Sequence, residues 1–421
     1  MKQVYKFLLF LIFIIFFSSC ENNEMQTENF RNSIVDWNFL VYMGADNNLE
    51  RFAIQNIYDM KKIGSSEKIN VLVLLDRSPG YDKSNGNWSG TRLFHIKKNS
   101  KNVNDDMILD FGELDMTDYL NLEEFITYAN NNFPSKRTVL VIWSHGNGVF
   151  QDGLIFNDKD KMENARTVIQ DYSTSYSAGM RIQDFSKAVK NAEITANKKI
   201  DIVYFDACFM QMMEICWQLK DLTNFIVASQ SEVPGTGGNY EAILKYIEDN
   251  EDIESLSIAL TIAERFYSKY QNSLLSSACS VVSTESLKDG IDHFKNWMTT
   301  LQNADENQCE ELIKIRKNAF AYSSTYKEFI DLYSFCLNIV NSSKTSESVK
   351  SKTLELIESL KNIIKVNKVT NEYKNNLYGL SLNFPIENEG LQFYITKDMH
   401  YDVFDIYKET ELGDFIIKIN D

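Results

Sequence analysis

Apolar residues follow two rhythms along this chain. Residues 37–43, 69–75, 138–143, 200–205 and 224–228 are short, nearly unbroken apolar runs, the pattern of strands buried on both faces. Between them, apolar residues recur every three or four positions. Leu49, Phe52, Ala53, Ile57 and Met60 form one stripe before Gly64, and Leu122, Phe125, Ile126 and Ala129 form another within 118–132. Such stripes predict amphipathic helices there, at 181–194 and at 209–220. The glycine-containing stretch 77–92 reads as a loop or hairpin, and 146–179 as a long, polar, irregular segment. Strands alternating with helices build a mostly parallel sheet covered on both faces, so the expected fold class is α/β, a three-layer sandwich. Beyond residue 238 the pattern is largely helical, with strand-like pieces at 277–282, 377–384 and 391–395.

The first residues follow neither rhythm. Lys2 and Lys6 precede an apolar run over 7–17, which ends in Ser18, Ser19 and Cys20. A basic start, a short apolar segment and small residues make an export signal, too short to span a bilayer comfortably. Its ending resembles a bacterial lipoprotein signal, in which Cys20 becomes the acylated first residue; an ordinary cleaved secretory signal is the alternative. The expected organisation is a signal over 1–19, a flexible polar tether over 20–35, a core over 36–250 and a helix-rich part over 251–421 that completes the fold. The expected location is outside the cytoplasm, lipid-anchored to a bacterial membrane.

Charge and cysteine content narrow the partners. With 43 Lys and Arg against 59 Asp and Glu the net charge is −16, which argues against nucleic acid as a partner. Of six cysteines, five remain beyond Cys20, an odd number that leaves at least one thiol free. No Cys/His cluster has zinc-ligand spacing, so no metal or other cofactor is expected; calcium is left open, with no residue pattern in its support.

Two of the apolar runs end in reactive residues. One reads Val139-Leu-Val-Ile-Trp143 and continues Ser144-His145-Gly146; the other reads Ile202-Val-Tyr-Phe205 and continues Asp206-Ala207-Cys208. In an open parallel sheet, ligands bind beyond the carboxyl ends of the strands, so both motifs fall on one edge. Either alone is ordinary, since a Cys ending a buried strand is commonly packing and a His-Gly pair commonly a turn. Together they supply a thiol nucleophile and an imidazole base. A helix starting near Phe209 would favour thiolate at Cys208. The backbone N–H groups of Gly146 and Cys208 are the candidate oxyanion donors.

An apolar strand ending in His-Gly and a later one ending in Asp-Ala-Cys resemble the signature of caspase-like cysteine peptidases. The words Trp37-Asn-Phe-Leu-Val-Tyr-Met-Gly-Ala-Asp-Asn-Asn-Leu49, Trp143-Ser-His-Gly-Asn-Gly148, Phe205-Asp-Ala-Cys-Phe-Met210, Ala228-Ser-Gln-Ser-Glu-Val-Pro-Gly-Thr-Gly237 and Tyr378-Gly-Leu-Ser-Leu-Asn-Phe-Pro385 are similar to the clostripain family, nearly end to end. The resemblance implies a caspase-like fold and an endopeptidase acting on peptides or proteins through His145 and Cys208. It implies that Asp206 lines the pocket for the residue before the scissile bond and favours Arg or Lys there. The family's usual acid after Pro-Gly is replaced by Thr236, which weakens that preference, and Glu232 is the nearest acid that could substitute. Family members mature by internal cleavage after basic residues, for which Lys159 and Lys161 are the matching positions. The alternative reading is a catalytically silent member that binds peptides at a surface.

The remaining candidates have simpler readings. His95, His293 and His400 have no nucleophile motif beside them and read as surface or packing residues. Cys216, on a Met- and Trp-rich stripe, reads as core. Asp46, Asn47 and Asn48 read as an N-cap cluster opening the first helix rather than a metal site.

Overall fold

The computed structural model describes residues 34–149, 169, 171–173, 179–321, 327–386 and 404–420. Cys20, Lys159, Lys161, His400 and the strand expected at 391–395 lie outside the described residues. Among the described residues, no helix is long and apolar enough to cross a membrane.

The expected runs became β1 (Val35–Ala45), β2 (Ile69–Arg77), β5 (Ser135–Trp143), β6 (Ile202–Asp206) and β7 (Phe225–Ala228). These five pair in parallel in the order β7-β6-β5-β1-β2. Antiparallel strands extend both edges: β3 (Gly90–His95) and β4 (Met107–Gly112) beyond β2, β8 (Ala278–Ser283) and β10 (Ile364–Val369) beyond β7. A separate pair joins β9 (Phe329–Asp331) to β11 (Ser381–Asn383). The nine-stranded sheet thus takes its last two strands from the part of the chain beyond residue 250.

Each central strand serves two cores, because successive side chains point to opposite faces. In β1, Phe39, Val41 and Met43 enter one core while Leu40 and Tyr42 enter the other. The first core is closed by α1 (Glu50–Lys61), α5 (Tyr240–Asp249) and α6 (Ser255–Tyr270). The second is closed by α2 (Tyr119–Asn132), α3 (Ile182–Ala196) and α4 (Met213–Gln218). It continues through α7 (Thr284–Asp289), α8 (Ile291–Gln302), α9 (Glu306–Lys317), α10 (Leu332–Asn341) and α11 (Glu347–Ile363), and ends with α12 (Asp405–Glu409) and α13 (Leu412–Lys418). Three layers result, as the strand and helix rhythm predicts.

The helix expected over 209–220 is shorter, beginning only at Met213. Phe209 takes a left-handed backbone, φ 61°. The next residues are tied elsewhere: Phe209 N–H donates to the Ser231 carbonyl, Gln211 N–H to that of Ser229, and the Gln211 carbonyl accepts from Ser381 N–H. A backbone committed to neighbouring segments cannot also close helical hydrogen bonds.

Candidate active site

The pairing register aligns the two reactive motifs. Trp143 of β5 faces Asp206 of β6, so His145 and Cys208 each lie two residues beyond a matched pair. Both line one cleft of about 270 Å³, together with Leu49, Gly146, Asp206 and Glu232. Gly146 packs so closely on the Cys208 carbonyl and the Ala207 side chain that a Cβ there would collide with both. Only glycine permits that approach.

Cys208 is half-buried, whereas the other four described cysteines are buried, and all five are free thiols. Its Sγ accepts a hydrogen bond from Val233 N–H at 3.2 Å. That donor, rather than a helix N-terminus, faces the sulfur, because the helix expected at Phe209 starts five residues beyond Cys208. The left-handed Phe209 immediately after Cys208 is a strained turn of the kind found at reactive centres, costing about 1–3 kcal/mol. Cys216, Cys279 and Cys336 differ: burial pushes each thiol up, away from thiolate, so they are core residues.

His145 is held from the end of β1. Its Nε2 lies 2.7 Å from Asn48 Oδ1. An amide oxygen only accepts, so this contact places a proton on Nε2 and leaves Nδ1 as the basic atom of the neutral ring. Ser144 donates to the Gly44 carbonyl at 2.8 Å, and Asn47 donates to that same carbonyl at 3.0 Å. Asn48, read from sequence as part of an N-cap cluster, therefore serves His145. Asn47 accepts from Leu49 N–H at 2.9 Å, and the N-cap of α1 itself makes no side-chain bond.

Asp206 forms the floor. Its Oδ2 accepts from Tyr240 Oη at 2.6 Å and Gly238 N–H at 2.8 Å. Its Oδ1 is sealed from solvent and makes no hydrogen bond of sound geometry. Burial pushes the carboxyl above the usual range, against the Tyr240 hydroxyl and the Gly238 N–H, which pull it down. Gly237, at φ 56°, leaves no room for a Cβ beside Asp206 Oδ2. The adjoining loop is clamped from α6: Lys269 Nζ donates to the carbonyls of Thr236, Gly237 and Gly238 at 2.7, 3.1 and 2.8 Å. Tyr270 Oη donates to the Gly237 carbonyl at 2.6 Å. The Thr236 hydroxyl is 2.8 Å from Tyr270 Oη, and Gly235 and Gly237, not Thr236, line the cleft. Glu232 is exposed at the cleft's rim.

The sequence matches the clostripain family over residues 41–417. This chain belongs to that family. As a clostripain-family member it is a cysteine-type endopeptidase with peptide or protein substrates, which favours a working enzyme over a silent binder. It is similar to clostripain of Hathewaya histolytica, 25% identical, over 89% of this chain and 80% of that one. Its fold is similar to a secreted C11 cysteine protease from Bacteroides thetaiotaomicron in complex with an irreversible peptide inhibitor: TM-score 0.65, 20% identity, 90% of this chain and 99% of that one. An inactive zymogen C11 protease from Parabacteroides distasonis matches equally in fold: TM-score 0.65, 17% identity, 88% of this chain and 98% of that one. These likenesses show the caspase-like architecture expected from the sequence.

Among the described residues of this clostripain-family chain, His95 and His293 sit apart from the cleft. His95 packs against the Phe133 ring, centroids 4.8 Å apart, and burial lowers its pKa to about 4. His293 lies on α8, 3.8 Å from Glu355. Sequence reasoning missed Asn48, Val233 and Lys269 because each acts through a contact between distant segments. The Asn-Asn pair before the first helix and the Val-Pro-Gly word were visible, but nothing local says what they touch.

Proposed function

We propose that Cys208 and His145 are the nucleophile and general base of this endopeptidase, and that Asp206 directs cleavage after Arg or Lys. The observation that carries this reading is a single cleft in which the two motif ends meet over a buried carboxylate with one unengaged oxygen. His145 takes the thiol proton, and the sulfur attacks the substrate carbonyl carbon. The resulting oxyanion meets the N–H groups of Gly146 and Cys208. Collapse breaks the C–N bond as the imidazolium gives its proton to the leaving amine. Water then attacks the thioester, its proton passing to His145 and on to the departing sulfur, which restores both groups.

Specificity follows from what Asp206 lacks. A buried carboxylate oxygen without a donor is costly, and a guanidinium or ammonium from the substrate supplies the missing hydrogen bonds. Glu232 at the rim adds a second negative charge, while Thr236 acts by shaping the loop. The experiment is kcat/KM on peptides matched except for Arg, Lys or Leu before the scissile bond, with wild type and Cys208→Ala. Arg and Lys peptides are cleaved faster, and Cys208→Ala cleaves none. Preference for Leu overturns the role of Asp206, and full activity in Cys208→Ala overturns the dyad.

We also infer export and attachment to a membrane through acylated Cys20, supported by the signal-like residues 1–20 and by a relative described as secreted. Mass spectrometry of the native amino terminus finds a lipid on Cys20 if this holds, and an unmodified terminus overturns it.

A further inference from the structure

The start of α1 borders the cleft. Leu49, just before the helix, lines it together with Gly235. The half-buried ring of Phe52 leans on Gly235, where an added Cβ would stand 2.7 Å from it. The backbone at Gly235 is not left-handed, so glycine serves that contact rather than the turn. The Arg51 guanidinium lies over the same ring, 4.5 Å from its centroid, and the residue is exposed. Among the described residues it meets no carboxylate. The basic residues around it are engaged. Lys61 is held by Asp106 at 3.3 Å, Lys62 by Asp59 at 2.9 Å and Glu241 at 2.6 Å, and Arg77 by Glu50 at 2.6 Å. Lys269 gives its ammonium to three carbonyls.

In a chain with 59 acids against 43 bases, a guanidinium that meets no carboxylate at home is left for one that arrives with a substrate. Held over an aromatic face, it loses little freedom on gaining a partner, and its planar fork can donate to both oxygens of a carboxylate. We propose that Arg51, seated on Phe52, forms a second recognition subsite that takes a Glu or Asp side chain of the substrate close to the scissile bond. This subsite presupposes that the cleft is where the peptide binds. The cleft then carries both signs: Asp206 and Glu232 for the basic residue before the bond, and Arg51 for an acidic one near it. The net charge of −16 repels acidic peptides at large, so what is favoured is one carboxylate in one place, not acidity in general.

The test compares full-length wild type with Arg51→Gln and Arg51→Glu, substitutions at an exposed position that do not burden folding. Each is given peptides with Arg before the scissile bond and with Glu, Gln or Lys placed in turn at every neighbouring position on either side. At one position the wild type prefers Glu over Gln by about two- to fivefold in kcat/KM, chiefly through KM, and rising salt shrinks the preference. In Arg51→Gln the ratio falls to about one, and in Arg51→Glu it inverts in favour of Lys. A Glu preference that survives Arg51→Gln overturns the subsite. A wild type that cleaves the Glu and Gln peptides alike at every position also overturns it and leaves the dyad standing. One that cleaves no peptide of the set overturns both.

Discussion

Single atoms decide what this cleft does. Asp206 keeps one oxygen on Tyr240 and Gly238 and one without a partner. Asp206→Asn should cost Arg substrates about 2 kcal/mol or more, roughly 30-fold in kcat/KM, and uncharged ones little. Because burial raises this carboxyl, it becomes neutral at a higher pH than an exposed aspartate. The ratio of Arg to Leu kcat/KM should therefore fall as pH drops, with its midpoint above that of an exposed aspartate. A flat ratio removes Asp206 from recognition. Asn48 is the second decisive residue. Its amide oxygen fixes the His145 ring, so Asn48→Ala should lower kcat by roughly 2–12-fold, a neutral hydrogen bond of about 0.5–1.5 kcal/mol, with little change in KM. A change confined to KM would mean Asn48 meets substrate instead.

Elements bring those atoms together through backbone pairing and one long clamp. Lys269, three carbonyls in its grip, ties α6 to the loop under the cleft. Lys269→Met leaves those acceptors unmet and should cost about 1–3 kcal/mol in urea unfolding while raising KM for Arg substrates. Unchanged KM alongside lost stability would make the clamp purely structural. At this scale the sequence was most legible where strands were buried on both faces: Phe39 to Met43 or Val139 to Trp143 can serve no other purpose. It was least legible in β4, where Met107 and Phe111 are exposed and no apolar run forms. It misled at 209–212, whose apolar residues suit a helix while their hydrogen bonds go to Ser229, Ser231 and Ser381. The site followed the same rule. His145 and Cys208 stand at the ends of legible strands, whereas Asn48, Val233 and Lys269 are defined by tertiary contacts that no local pattern encodes.

The whole molecule is bound across its length by buried polar links. Glu214 of α4 accepts from Asn383 N–H at 2.9 Å and from Tyr407 Oη at 3.2 Å, joining the helix after Cys208 to the far end of the chain. Burial raises its carboxyl from 4.5 to about 7. The native state thus holds this proton more tightly than the unfolded chain, and the stability it contributes below pH 4.5 is lost as pH rises towards 7. Relative to Glu214→Gln, the wild type should lose on the order of 3 kcal/mol between pH 4.5 and 8, read from urea curves across that range. Parallel curves would show that Glu214 is charged in the fold. A further consequence lies in the seam between β5 and β6. Residues before 150 and after 178 are stitched together by that ladder and by the meeting of α2 with α3. Asn56 bonds to the Thr236 carbonyl, and Arg137 to that of Ile253. Covalent continuity between His145 and Cys208 is therefore dispensable. A chain severed anywhere in 150–178 should run as two pieces in denaturant yet elute as one particle from a native sizing column, with both halves of the cleft still facing each other.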